Sequence, residues 1–446
     1  MDIVIAGAGE VGRHTAEVLS PAGHNITVVD RNEALLATLD EQLDVRSYLG
    51  DATHAHALSE AGVASTDLFV AATENDHTNL LSASIAKGLG AAATIARVHH
   101  SAFFDRRGLD YAKHLGIDHL VCPEHTTAQA IASALRSPGA LAIEQFAKGK
   151  IQMQALPVQP QVKAIGTSLR QLELPAACRV AVIRRGDMAI LPTAETTLDK
   201  GDVVTVIGEA GTFDKVSALF TGGTEQRLKV VLMGGSTQAV WVCRALRHRR
   251  FAVRLFVPER ERAEELSEKL DWVTVLNEEV ISAEAMASER IGKADAFIAA
   301  TDDDESNVLA CAMAKSVGAS MVVAVQQRGT YLHLMEHVGI DKAFSPRITA
   351  VTEITRLMAR GAIRKLAPLA EGYAEVFALR VPDTATKAVG KPLHELELPQ
   401  HAMLAVIQRE AEVFVPLATS TVEPGDVLIV IAPESAAKPL GRMFAA

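Results

Sequence analysis

Aromatic side chains make up only 4% of this 446-residue chain. That scarcity leaves no stacking platform for nucleic-acid bases. An excess of basic charge is also missing. The formal net charge is −10, which argues against a general polyanion binder. Cysteine is sparse: Cys122, Cys178, Cys243 and Cys311 are scattered with no C-x-x-C pair, a reduced pattern rather than a disulfide framework. No apolar run reaches the roughly 20 residues a membrane helix needs. The longest Ala-rich stretch, "TAQAIASALRSPGALAIEQFA", is broken by Arg136 and Pro138. The N-terminus enters a strand pattern directly, without a basic n-region or cleavage-site pattern, so no signal peptide is expected.

What is present is an internal duplication. "DLFVAATENDHTNLLSASIAK" from Asp67 returns as "DAFIAATDDDESNVLACAMAK" from Asp295, and "LGIDHLVCP" from Leu115 as "VGIDKAFSP" from Val338. Residues 164–207 and 388–431 align without a gap, with 19 of 44 positions identical. Each copy opens with short apolar strands ("DIVIAG", "NITVVD", "LFVAAT", "TIARV", "HLVCP") separated by amphipathic helical patterns. That alternation predicts a parallel sheet covered on both faces. About 70 residues follow, where "VAVIRRG", "MAILPT" and "GDVVTVIG" read as strands of a small mixed subdomain. The fold class expected is α/β: two tandem Rossmann-like parallel-sheet domains (1–148 and 226–370), each followed by a small α/β subdomain (149–225 and 371–446).

"GAGEVG" places Gly7, Gly9 and Gly12 in the G-x-G-x-x-G spacing, with Ala8, Glu10 and Val11 between them. The first glycine permits the tight turn, the second lets backbone approach a pyrophosphate, and the third lets the helix pack on the sheet. The helix N-terminus then offers free N–H groups and positive dipole to phosphates. Asp30 ends the second strand and is placed to accept from ribose hydroxyls, with Arg31 beside it. This favours NAD(H) over NADP(H), while ATP, ADP or AMP would satisfy the same ribose contact. "GDAT" follows the third strand, and its Asp51, Ala52 and Thr53 face the same crevice. Thr73, Glu74 and Asn75 in "ATENDHTN" sit where ligands of open parallel sheets bind; helix capping, with Thr73 as the cap, reads the same residues equally well. Arg97 is a phosphate partner or one member of an ion pair on the sheet rim.

In the second copy Gly7, Gly9 and Gly12 become Gly234, Ser236 and Ala239, Asp30 becomes Val257, and Asp51 aligns with Glu278. A side chain at the close-approach glycine and a lost ribose acceptor predict a weakened or absent second nucleotide site. The acidic "TDDDESN" reads as a solvated helix start or, less simply, a cation site.

The arrangement resembles the peripheral regulatory subunits of Trk-type potassium uptake systems, which carry two RCK (regulator of potassium conductance) modules. "GAGEVG", "VVD" ending at Asp30, "ATENDHTN", "ARV", "GID…CPE" and the repeated "LELP…GD" carry the resemblance, which covers essentially the whole chain. It implies a cytoplasmic protein on the inner face of the membrane. It also implies a homotetrameric ring below an integral-membrane potassium transporter, and NAD(H) or ATP/ADP as ligands. Carried over to matching positions, the nucleotide contacts would be Gly7 to Val11, Asp30, Thr73, Glu74 and Arg97. Catalytic and metal-binding residues are not expected, nor is a nucleic-acid partner. The alternative is an NAD-dependent oxidoreductase acting on a small carbonyl or hydroxy compound. It would need an acid–base group beside the nicotinamide, for which His54/His56 and His99/His100 are the candidates, with Cys122 the candidate nucleophile.

Overall fold

A computed structural model of the full chain describes residues 1–104, 108–136, 142–146, 150–186, 188–222, 227–328, 332, 334–358, 363–369, 373–382, 388–410 and 412–444. These divide into two compact units: Met1–Ile131 with Arg227–Met358, and Ala132–Gln226 with Ala359–Ala446.

The first unit holds two parallel six-stranded sheets. One is built from β1 (Asp2–Ala6), β2 (Asn25–Asp30), β3 (Arg46–Leu49), β4 (Leu68–Ala71), β5 (Thr94–Arg97) and β6 (His119–Val121). Its order is β3-β2-β1-β4-β5-β6, so the strand order switches sides between β1 and β4. Ligands of doubly wound sheets bind at such a switch point. The connecting helices are α1 (Glu10–Leu19), α2 (Glu33–Gln42), α3 (Ala55–Glu60), α4 (Asp76–Leu89), α5 (Ser101–Phe104), α6 (Tyr111–Leu115) and α7 (Pro123–Arg136). Side chains define several starts. Asn32 Oδ1 accepts from Ala34 N–H at 3.0 Å, and Asn75 Oδ1 from Thr78 N–H at 2.9 Å, each satisfying a donor that the first helical turn leaves orphaned. Gly90, at φ +112°, ends α4, in backbone that a side chain would strain.

The second unit holds two five-stranded antiparallel sheets. In the first, β7 (Ala142–Phe146), β8 (Ile151–Pro157), β9 (Cys178–Arg185), β10 (Met188–Ile190) and β11 (Val203–Glu209) run in the order β10-β9-β11-β8-β7, followed by α8 (Phe213–Thr221). The repeated "GD" has a structural reason here. Asp202 is fully buried and accepts from Arg185 Nε at 2.9 Å and from Asp199 N–H at 2.8 Å. Asp426 repeats this with Arg409 Nε at 3.0 Å and Glu423 N–H at 2.8 Å.

The parallel pattern resumes with β12 (Leu228–Met233), β13 (Phe251–Phe256), β14 (Thr274–Leu276), β15 (Ala296–Ala299), β16 (Val322–Val325) and β17 (Lys342–Phe344), ordered β14-β13-β12-β15-β16-β17. Its helices are α9 (Thr237–Ala245), α10 (Arg260–Lys269), α11 (Ala283–Ser288), α12 (Asp304–Ser316) and α13 (Pro346–Met358). The last sheet comprises β18 (Ile363–Leu369), β19 (Ala374–Arg380), β20 (Met403–Arg409), β21 (Glu412–Phe414) and β22 (Val427–Ala432), in the order β18-β19-β22-β20-β21, closed by α14 (Ala437–Phe444). Ile151, Met153 and Ile207 of one antiparallel sheet share an apolar cluster with Val376, Ile429 and Ile431 of the other.

The register of the second parallel sheet corrects one correspondence. Val29 pairs with Tyr48, whereas Phe256 pairs with Leu276. The second copy therefore carries one extra residue between α10 and β14, and Glu279, not Glu278, occupies the place of Asp51.

The two parallel-sheet halves of the first unit exchange their last helices. α13 packs on α1, and its Ala350, Ile354 and Met358 belong to the same buried core as Ile3, Val11, Leu19 and Val28. In the other direction Trp241 of α9 donates its Nε1–H to the carbonyl of His99 at 3.1 Å and meets the His125 ring edge-on at 5.0 Å. Between α7 and α13 the Thr127 hydroxyl donates to the Thr349 hydroxyl at 3.0 Å.

Candidate nucleotide crevice

Gly7 leaves β1 with φ +111°, and a side-chain carbon there would lie 3.0 Å from the backbone of Ala72 and Thr73. Gly12 is more constrained, since a Cβ would fall 1.8 Å from the Gly7 carbonyl oxygen. That glycine is what allows α1 to start against the turn. Gly9, the N-cap of α1, has ordinary extended backbone (φ −66°, ψ −174°), and a Cβ there meets nothing within 4 Å. It opens onto the crevice, at the end of a ten-residue helix whose first N–H groups need acceptors. Ala8 and Val11 are buried beneath, and Glu10 stands exposed at the first helical position.

Asp30 closes the crevice on the β2 side. Its Oδ2 accepts from Ala8 N–H at 2.6 Å and its Oδ1 from Asn32 N–H at 2.8 Å. The carboxylate thus braces the glycine turn and keeps lone pairs for further donors. Arg31 lies 3.8 Å from Asp51. Asp51 accepts from both the hydroxyl (2.7 Å) and the N–H (2.9 Å) of Thr53, bonds that lower its pKa. Ala52 between them is buried.

The β4 side is braced rather than open. Thr73 donates through N–H (2.9 Å) and hydroxyl (2.7 Å) to Asn79 Oδ1, while Asn79 Nδ2 holds the carbonyls of Thr73 (2.9 Å) and Arg97 (3.0 Å). The cap of α4 is Asn75, not Thr73, whose hydroxyl receives Asn75 N–H at 3.3 Å. Glu74 is exposed at the rim. Thr301 and Asn307 repeat the brace in the second copy at 3.0 and 2.7 Å, so these two residue types serve the sheet in both halves. Asn79 is fully buried, and its recurrence in "TEN…N" and "TDD…N" is the signal of this brace in the sequence.

Arg97 is the ion-pair member of its two readings: Nη2 contacts Glu124 Oε1 at 3.1 Å, with both side chains largely buried. Asp76, next to Asn75, accepts from the N–H groups of His99 and His100 (each 2.9 Å) and from His99 Nδ1 (2.7 Å). Burial opposes its charge, yet these bonds bring its pKa below the usual value. Asp304 plays the same part in "TDDDESN", accepting from Gln327 N–H (2.6 Å) and Arg328 N–H (2.9 Å), and Asp303 caps α12 through Ser306 N–H. That run is a helix start. Among the described residues no group of three or more His, Cys, Asp or Glu could hold a metal.

The repeated "GID" is also architectural. Asp118 receives Lys87 Nζ at 2.8 Å and Thr94 N–H at 2.8 Å; Asp341 receives Lys315 Nζ at 2.7 Å and Val322 N–H at 2.7 Å.

The second crevice is closed by its own side chains. Ser236 caps α9, its hydroxyl accepting from Ala239 N–H at 3.2 Å and donating to the Ala300 carbonyl at 2.7 Å. Arg262 Nε donates to the Gly235 carbonyl at 2.8 Å, and Val257 is fully buried. Among the described residues no carboxylate is shown in the place of Asp30, where Val257 stands.

Two of the four histidine candidates have carboxylate neighbours. His56 lies 3.3 Å from Glu60 and His99 is held by Asp76. Burial pushes the Cys122 thiol well above its ordinary pKa, away from the thiolate a nucleophile requires. No helix among the described residues is long and apolar enough to cross a membrane.

Comparison with known proteins agrees with this organisation. Residues 3–123 and 230–346 match the model of the TrkA-N domain, and residues 153–221 and 376–445 that of the TrkA-C domain. A Trk system potassium uptake protein TrkA homolog of Archaeoglobus fulgidus is 34% identical over 432 residues, covering 97% of each chain. Homolog 1 of Methanosarcina mazei is 31% identical over 452 residues, covering 100% of both. Among solved structures, the GsuK channel bound to NAD aligns with a TM-score of 0.63 at 16% identity, covering 99% of this chain and 78% of that one. GsuK bound to ADP gives 0.53 at 13% identity, covering 80% and 69%. At such identities the likeness is one of fold.

Proposed function

The chain belongs to the TrkA family of Trk system potassium uptake proteins, and from that premise we infer that it is the cytoplasmic regulatory subunit of a potassium uptake system, switched by an adenine-containing nucleotide in its first crevice. The observation that carries this reading is the contrast between the two crevices. One keeps an open glycine at a helix N-terminus and a carboxylate at the end of β2; the other has Ser236 and Val257 at those positions and Arg262 set against Gly235.

The residues present fit a dinucleotide or an adenosine phosphate. The N–H groups at Gly9 to Val11 would receive phosphate oxygens at the positive end of α1. Asp30 would accept from the ribose hydroxyls, with Arg31, Asp51, Ala52 and Thr53 bordering that side and Thr73, Glu74 and Asn75 the β4 rim. Arg97, already paired, would act through Glu124 rather than on phosphate directly. The NAD and ADP bound to the fold neighbour are ligands of this class.

Regulation needs more than binding. The nucleotide must prefer one of two conformations, because equal affinity shifts no population. The exchanged helix α13 supplies a path, since its apolar face lies in the core beneath α1. The protein would act as a homotetrameric ring on the inner face of the membrane, against an integral-membrane potassium transporter and without chemistry of its own.

Titration calorimetry with NADH, NAD, ATP and ADP, counting sites per chain, tests the reading. One site per chain, lost in Asp30→Ala, is expected. Two equal sites, or binding indifferent to Asp30→Ala, would overturn it.

A further inference from the structure

The first crevice has a neighbour that comes from the other half of its unit. Arg347, the second residue of α13, makes an ion pair with Glu10, the residue that opens α1 directly after Gly9. Arg347 is mostly buried, with a side-chain exposure of 23%. Its Nη1 is buried in ionic contact with Glu10, without a directed hydrogen bond among the described residues. Burial weighs against the guanidinium charge, and this partly buried cation stands beside the start of α1.

The pseudo-symmetric position makes the arrangement informative. The start of α7 meets the start of α9 as the start of α13 meets the start of α1: Gln238 Nε2 donates to the Glu124 carbonyl at 3.2 Å. At that second junction the matching side chain is Glu124, turned to Arg97, and the residue matching Glu10 is Thr237. Among the described residues, it is the crevice with the open glycine that receives a cation from the opposite half. Glu10 itself is a poor neighbour for phosphates, because like charges within a few ångströms repel. A carboxylate that holds an arginine until a stronger anion arrives accounts for both residues. A guanidinium also suits phosphate, which it can grip with two parallel donors.

We propose that Arg347 belongs to the ligand site of the first crevice: it exchanges Glu10 for a nucleotide phosphate and biases the site toward the more highly charged adenosine di- and triphosphates over NAD. The proposal rests on the nucleotide reading of that crevice. It makes the second half a contributor to a site it does not itself contain, and it connects ligand charge to α13, which Ala350, Ile354 and Met358 anchor in the first core.

The test compares wild type, Glu10→Gln, Arg347→Gln, Arg347→Lys and the double variant Glu10→Gln/Arg347→Gln. ADP and NADH are titrated calorimetrically at one ionic strength, with thermal melts to verify folding. The deciding comparison is Arg347→Gln within the Glu10→Gln background, where Glu10 no longer repels the ligand. There the loss should be about tenfold for ADP, roughly 1.4 kcal/mol, and under about threefold for NADH. Glu10→Gln alone should strengthen ADP binding, and Arg347→Lys should fall between wild type and Arg347→Gln. Equal ADP affinity of Glu10→Gln and the double variant would overturn the proposal while leaving the nucleotide site intact. If Arg347→Gln melts early, Arg347→Lys decides: a folded lysine variant with unchanged ADP and NADH affinities overturns the proposal equally. Failure of wild type to bind either nucleotide, by contrast, would remove the parent reading.

Discussion

Gly12→Ala and Gly9→Ala should separate the packing of the glycine turn from its use. At Gly12 the added Cβ would lie 1.8 Å from the Gly7 carbonyl oxygen, more than an ångström inside any tolerable contact. The start of α1 must move away from the turn by about that amount. Overpacking of this kind costs about 1–3 kcal/mol, while alanine returns about 1 kcal/mol of helix propensity. The clash involves backbone on both sides and cannot be relieved by a rotamer, so it should win by about 1–2 kcal/mol. At about 2–4 °C per kcal/mol for a unit of this size, the melting temperature should fall by about 2–8 °C. The N–H groups of α1 move with the helix, and nucleotide affinity should drop at least about tenfold. Gly9→Ala is the control. Its backbone is ordinary and its Cβ meets nothing, so stability should stay within about 0.5 kcal/mol, while affinity falls because the methyl occupies the phosphate approach. Calorimetric melts and nucleotide titration read both quantities. A Gly12→Ala protein with wild-type melting and affinity would refute the reasoning, as would Gly9→Ala if it cost as much stability as Gly12→Ala. The second copy already shows the accommodation: Ala239 is fully buried at the matching position, in a turn rebuilt around Ser236.

Three further outcomes are expected. Trp241→Ala removes a ring that is 8% exposed and its bond to the His99 carbonyl; a loss of about 3–4 kcal/mol should appear in denaturant melts, with faster amide exchange around residues 99–104. Asp202→Asn should cost about 2 kcal/mol at neutral pH. Burial opposes the Asp202 charge, but Arg185 and the Asp199 N–H hold its pKa below the usual value. Its contribution is therefore present above the unfolded value of about 3.9 and lost as pH falls through the folded one; an acid-melting profile unchanged by the substitution would contradict this. Glu353 has the opposite sign, because burial raises its pKa and its Oε2 has no hydrogen-bond partner among the described residues. The stability of its protonated form is complete below the unfolded value of about 4.3 and lost as pH rises through the folded value. Glu353→Gln should melt no lower than wild type at pH 7, and a clear destabilisation there would show that the carboxylate is needed.

The sequence by itself determined the duplication, the alternation of strands and helices, the glycine turn ending at Gly12 and the acid at Asp30. These are local: periodicity, turn chemistry and spacing act within a few residues, and the second copy served as an internal control that marked Ser236, Ala239 and Val257 as departures. The tertiary structure decided the rest. An amphipathic helix announces that it has an apolar face but not which sheet will cover it, so the exchange of α13 was not legible, and neither was Arg347 beside Glu10. Arg97 could be read as a phosphate partner or an ion-pair member because its choice depends on Glu124, 27 positions away. Thr73 and Asn75 traded the capping role because both residue types accept the same N–H bonds, and only the turn geometry selects between them. The offset of one residue that moved Glu279 into the place of Asp51 lies in a loop, where insertion costs little and leaves no periodic trace.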